Sequence, residues 1–163
     1  MSTNNPESVH FDDLWDYHQP GVTEARFYAL LPQLGNDPAR LAELLTQIAR
    51  AQGLQRHFED AHMTLDQVQA GLSTAPALVR MRYLLERGRV FNSSGKVAEA
   101  RPYFLEAWET AKAAGADFYA IDAAHMLGII EPPAEQRAWN HLALALTEQT
   151  TDPRAKKWLG SLS

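Results

Sequence analysis

The chain has 163 residues, 45% of them apolar and 21% charged, proportions ordinary for one soluble globular domain. Its formal net charge of −5 argues against a general nucleic-acid binder, which is usually basic. Cysteine is absent, which removes disulfides, thiolate metal sites and cysteine nucleophiles, and no apolar run approaches the roughly 18 residues of a membrane span.

The first residues are polar and acidic, unlike a secretory signal, so the expected location is the cytoplasm. Phe11, Leu14 and Trp15 follow at i, i+3, i+4, which predicts a short amphipathic helix ended by Pro20-Gly21. Thr23 is the expected N-cap of a second segment that runs until Pro32 and Gly35. Residues 8–35 thus read as a degenerate helix pair that caps the stack of later helices. Asp37-Pro38 is a cleaner start signal, and Leu41, Leu44, Leu45, Ile48 and Ala49 share one side of the helix it opens. Gly53 lies near that helix's end. The next helix carries Phe58, Ala61, Leu65 and Val68 and closes at Gly71 and Ser73-Thr74.

Pro76 opens a helix containing Leu84, Arg87, Gly88 and Phe91, and Gly95-Lys96 breaks it. Its partner presents Ala100-x3-Phe104-x2-Ala107, the spacing already seen in Ala61-x3-Leu65-x2-Val68. After Ala114-Gly115 a helix from Asp117 turns Ile121, Ala124, Leu127 and Gly128 inward, and Glu131-Pro132-Pro133 forces a turn. The helix from Ala134 contains Ala138-x3-Leu142-x2-Ala145, the same spacing a third time. Thr151-Asp152-Pro153 starts a last helix. Ala61 to Ala100 is 100 − 61 = 39 residues, Ala100 to Ala138 is 38, and Ala49 to Gly88 is 39. This is the signature of a repeated helix hairpin that cannot bury its apolar face alone.

Leu84-x2-Arg87-Gly88-x2-Phe91 followed by Ala100-x3-Phe104 resembles the tetratricopeptide pattern, with a period somewhat longer than the usual ~34 residues. The stretches LLTQIARAQGLQRHFEDAH, RYLLERGRVFNSSG, DAAHML and DPRAKKWLGSL, with the N-terminal LWDY, make the chain similar to bacterial tetratricopeptide-repeat proteins over most of residues 11–162. The resemblance implies an all-α fold, a right-handed α/α superhelix of helix pairs that binds other proteins or peptides. It brings no catalytic residues. The single domain it implies comprises the 8–35 cap, repeats at 37–72, 76–114 and 117–148, and a terminal helix over 153–163. In relatives of this type the segment like Trp158–Leu162 leads into a further repeat, so the chain reads as a shortened member or a fragment.

Reactive constellations are not visible. His57 and His62 are five apart and point in different directions, whereas a helical metal pair needs i, i+4. Asp12, Asp13 and Asp16 form an acidic first turn that suits a helix dipole. There is no GxSxG, P-loop or GxGxxG, and no enzyme activity, metal or cofactor is expected. The charge distribution is more informative. Residues 76–101 hold Arg80, Arg82, Arg87, Arg89, Lys96 and Arg101 against Glu86 and Glu99, a local balance of 6 − 2 = +4.

In tetratricopeptide stacks the first helix of each pair lines the concave groove. On that helix Arg82, Leu85, Arg89 and Asn92 form one stripe; the preceding repeat adds Glu43, Thr46, Gln47 and Arg50, and the following one Asp122 and His125. The expected partner is a protein or peptide with an acidic group, because the arginine fork grips carboxylates by paired hydrogen bonds. The alternative is a regulatory sensor whose groove takes a signalling peptide or small ligand. Trp158, Leu159 and Leu162 have no following helix in the chain and are expected to fold back or to stack on a second copy, giving a homodimer.

Overall fold

A computed structural model describes residues 10–157, and among these the chain is all-helical, without strands. The α-helices are α1 Pro20–Leu30, α2 Pro38–Leu54, α3 Phe58–Gln69, α4 Ala77–Ser93, α5 Val97–Ala113, α6 Asp117–Ile130, α7 Pro133–Gln149 and the short α8 Pro153–Lys156. Single 3-10 turns occupy Phe11–Leu14, Leu31–Leu34 and Leu72–Thr74. The chain divides into two units, Met1–Val79 and Arg80–Ser163.

Several helix starts follow their local signals. The Asp37 carboxylate accepts the Arg40 backbone N–H at 3.1 Å, and Asp152 does the same for Arg154 at 2.8 Å, each with proline at the first helical position. The N-terminal start is different from expectation. Pro20 opens α1 instead of ending a helix, and Thr23 is buried inside it, because its hydroxyl is bound to the Asp16 backbone: the Asp16 N–H donates to it at 2.9 Å and it donates to the Asp16 carbonyl at 3.2 Å.

Three helix ends are the same. α2, α4 and α5 each finish in a left-handed residue: Arg56 (φ 65°), Gly95 (φ 84°) and Gly115 (φ 66°). The following N–H reaches back five residues in each: His57 to the Gln52 carbonyl, Lys96 to Phe91, Ala116 to Ala111, at 2.8–2.9 Å. The left-handed residue's own N–H bonds Gly53, Asn92 or Lys112. These are Schellman caps, which satisfy the carbonyls a helix end leaves open. The residue after the left-handed one then caps the next helix, so His57, Lys96 and Ala116 each belong to two helices. Arg56 and Gly95 are 95 − 56 = 39 residues apart, the repeat period itself.

In the first unit α1 and α3 pack on α2, around Phe11, Phe27, Leu34, Leu44 and Ile48. In the second, α5 packs on α4 and α6, α7 on α6, and α8 on both α6 and α7. Gly88 permits the α4–α5 contact: a Cβ there would lie 2.6, 2.8 and 2.9 Å from ring atoms of the buried Phe104. A Cβ at Gly128 in α6 would meet only the side-chain end of the exposed Asn140 of α7. The third copy of the small-residue spacing does not face the core. Ala138 and Ala145 are exposed and Leu142 is 47% exposed, while Trp139, Ala143, Leu146 and Thr147 form the packed side. α6 is three residues shorter than α4 and only two residues separate it from α7, so Val97 to Pro133 is 36 residues and the register moves.

Candidate functional site

The residues assigned to a groove fall into two sets, one in each unit. In the first unit they lie on α2 under residues 10–19. That segment leaves its 3-10 turn with Trp15 in extended backbone and is tied to α1 through Thr23 and an Arg26 hydrogen bond to the Leu14 carbonyl at 3.2 Å. Its aromatic side chains run along α2. The Arg40 guanidinium stands 3.9 Å from the Phe11 ring centre, the Trp15 indole N–H donates to Gln47 Oε1 at 3.1 Å, and Arg50 lies 5.5 and 5.1 Å from the Trp15 and Tyr17 rings. Trp15 and Tyr17 are themselves stacked, 4.7 Å apart and within 3° of parallel.

Positions 40, 47 and 50 are i, i+7, i+10, one helical stripe. Gln47 is 1% exposed beneath it. Glu43 pairs with Arg40 at 2.9 Å, and the buried Thr46 hydroxyl donates to the Glu43 carbonyl and accepts from Gln47. Cation–π contacts of this kind contribute about 0.5–1 kcal/mol each where partly exposed.

In the second unit α4 and α6 are joined through Arg89. One arm donates to both oxygens of Glu86 at 2.6 and 3.1 Å, and the other to Asp122 Oδ2. Burial opposes this charge, but the Asp122 and then the Glu86 carboxylates outweigh it and raise the Arg89 pKa above its ordinary value. The fork expected to hold a partner's carboxylate is therefore filled by the chain's own. Asp122 Oδ1 is buried and accepts no hydrogen bond among the described residues.

Arg82, placed on an open trough by the sequence pattern, is 6% exposed with its guanidinium 5.4 Å from the Tyr119 ring, and Leu85 is 2% exposed. Asn92 and His125 are half-buried. Burial, countered by Asp122 and reinforced by Arg89, pushes the His125 pKa down. Trp158, Leu159 and Leu162 lie outside the described residues. Glu86 and the N-terminal aromatics were not among the sequence candidates. The i, i+3 spacing of Glu86 and Arg89 was a signal for the first. Nothing local marked the second.

Recesses also lie elsewhere among the described residues. One, of about 480 Å³, opens between α2 and α3 beside Leu41, Leu45, Val68 and Pro76. Another, of about 190 Å³, is bordered by Asp117, Tyr119, Asp152 and Arg154, where Asp117 accepts the Thr150 hydroxyl and Asp152 caps α8. Among the described residues no three His, Asp or Glu side chains converge as metal ligands, and no helix is long and apolar enough to cross a membrane. No family model matches the chain, and neither a curated protein nor a solved structure matches it.

Proposed function

We propose that this chain is a non-enzymatic adaptor of the tetratricopeptide type, whose helix pairs stack as a right-handed α/α superhelix and bind a protein or peptide in the cytoplasm. The repeated Schellman turn and the close approach of α4 to α5 at Gly88 support the repeat reading. The observation that carries the functional reading is the α2 stripe: its polar side chains already grip a short segment of polypeptide outside the main helices, the 3-10 turn from Phe11 and the Trp15–Tyr17 stretch that follows it, by side-chain contacts. Acidity is not the property we assign to the partner, because the Arg89 fork is occupied by Glu86 and Asp122.

Thermal-shift measurements on the full chain test the proposal, with a pool of synthetic peptides in one arm and a set of metabolites in the other. Stabilisation by peptides is expected. An Asn92→Ala, His125→Ala variant, which leaves the Arg89 pairing in place, distinguishes binding in the second unit from binding at α2. Stabilisation by metabolites alone replaces the adaptor with a ligand sensor.

A further inference from the structure

We infer that the α2 stripe is a receptor for an aromatic-x-aromatic segment, and that Trp15-Asp16-Tyr17 occupies it in cis, so that a partner peptide carrying Trp-x-Tyr binds by displacing the chain's own copy. The inference rests on the peptide-binding reading above and adds the recognition chemistry and an inhibitory contact. Three features separate this contact from a simple hydrophobic cap. Phe11 and Trp15 join the apolar core that holds Leu44 and Ile48 of α2, but α2 also meets the aromatics with Arg40, Gln47 and Arg50, polar or charged groups that a cap serving stability alone does not need. The recognition is chemically specific, since Gln47 Oε1 reads an indole N–H, which phenylalanine and tyrosine rings lack. The grip is also graded along the segment. Phe11 is 1% exposed, whereas Tyr17, stacked on Trp15, is 54% exposed. Phe11 thus anchors the segment, Trp15 is half-buried against the core and Phe27, and only Tyr17 lies at the surface, the end being held by Gln47, Arg50 and the Asp16–Thr23 hydrogen bonds.

The segment's own sequence defines the probe. A fluorescein-labelled peptide of residues 10–19, HFDDLWDYHQ, is titrated with the full chain and followed by fluorescence anisotropy. Removing the cis competitor in Trp15→Ala, Tyr17→Ala is expected to tighten binding at least tenfold over wild type. Adding Gln47→Ala and Arg50→Ala to that variant is expected to reverse the gain. If the doubly substituted chain loses the wild-type far-UV circular dichroism, Tyr17→Ala alone carries the test, with an expected gain of about threefold.

A helical variant that binds the peptide no better than wild type overturns the inference. So does a gain that survives loss of Gln47 and Arg50. Stabilisation of wild type by peptides lacking the aromatic pair, with no effect of these substitutions, overturns it too while leaving the adaptor function standing.

Discussion

Gly88→Ala tests the central packing of the second unit. The new Cβ meets Phe104 Cε1 at 2.6 Å where ordinary contact begins at 3.4 Å, so α4 and the ring must separate by 3.4 − 2.6 = 0.8 Å. Phe104 is 0% exposed and cannot swing into solvent. Overpacking of this kind costs about 1–3 kcal/mol, and the gain in helix propensity from glycine to alanine offsets about 1 kcal/mol. The net expectation is a loss of about 0–2 kcal/mol, measured by urea unfolding followed by circular dichroism. Phe104→Leu removes ring atoms that clash, so the double variant should lose less than the sum of the single losses, by at least about 1 kcal/mol. A Gly88→Ala chain more stable than wild type, as propensity alone requires, would refute the close approach.

Gly128→Ala makes an informative contrast, because the atom its Cβ meets belongs to the exposed Asn140 side chain, which can rotate away; stability by the same urea assay should change by less than about 1 kcal/mol. Arg56→Gly relieves a left-handed residue at about 1–2 kcal/mol and forfeits a cation–π contact with Phe58 of about 0.5–1 kcal/mol, so a slightly higher melting temperature is expected, whereas Gly95→Ala and Gly115→Ala should lower it. Arg89→Met leaves Glu86 and Asp122 buried without their cation and should cost about 3 kcal/mol in chemical denaturation, part of which Asp122→Asn restores. For His125 the folded pKa lies below the unfolded value, so the unfolded chain binds more protons and the contribution to stability is lost as pH falls through about 6.5. Melting curves between pH 7.5 and 5.5 should therefore fall less steeply for His125→Gln than for wild type.

What could be read from the sequence was whatever depended on neighbours in the chain. Asp37-Pro38, Asp152-Pro153, Gly95 and Gly115 announced helix ends because caps are local. The apolar side of α2 and the inward face of α6, with Ile121, Ala124 and Leu127 fully buried, followed from helical periodicity. The errors arose where a distant contact decided the outcome. Thr23 had the chemistry of a cap and spent it on Asp16. Leu142 had the right spacing in the wrong register, since the two-residue turn before α7 shifts the packed side to Ala143 and Thr147. The arginine stripe was visible as a pattern, but Asp122, 33 residues beyond Arg89, fills its fork. Arg56 had no glycine to betray a left-handed turn; only the hydrogen bond from His57 to Gln52 reveals it.

The double duty of His57, Lys96 and Ala116 has a consequence for how the chain tolerates length change. Each joint holds three residues between helices, one of them shared, so an extra residue separates the cap of one helix from the start of the next and breaks the hydrogen bonds that close the turn. The seven residues 70–76 between α3 and α4 carry no such constraint. Natural variation in spacing, and deliberate grafts of tags or binding loops, should be accepted there and rejected at the three-residue hinges.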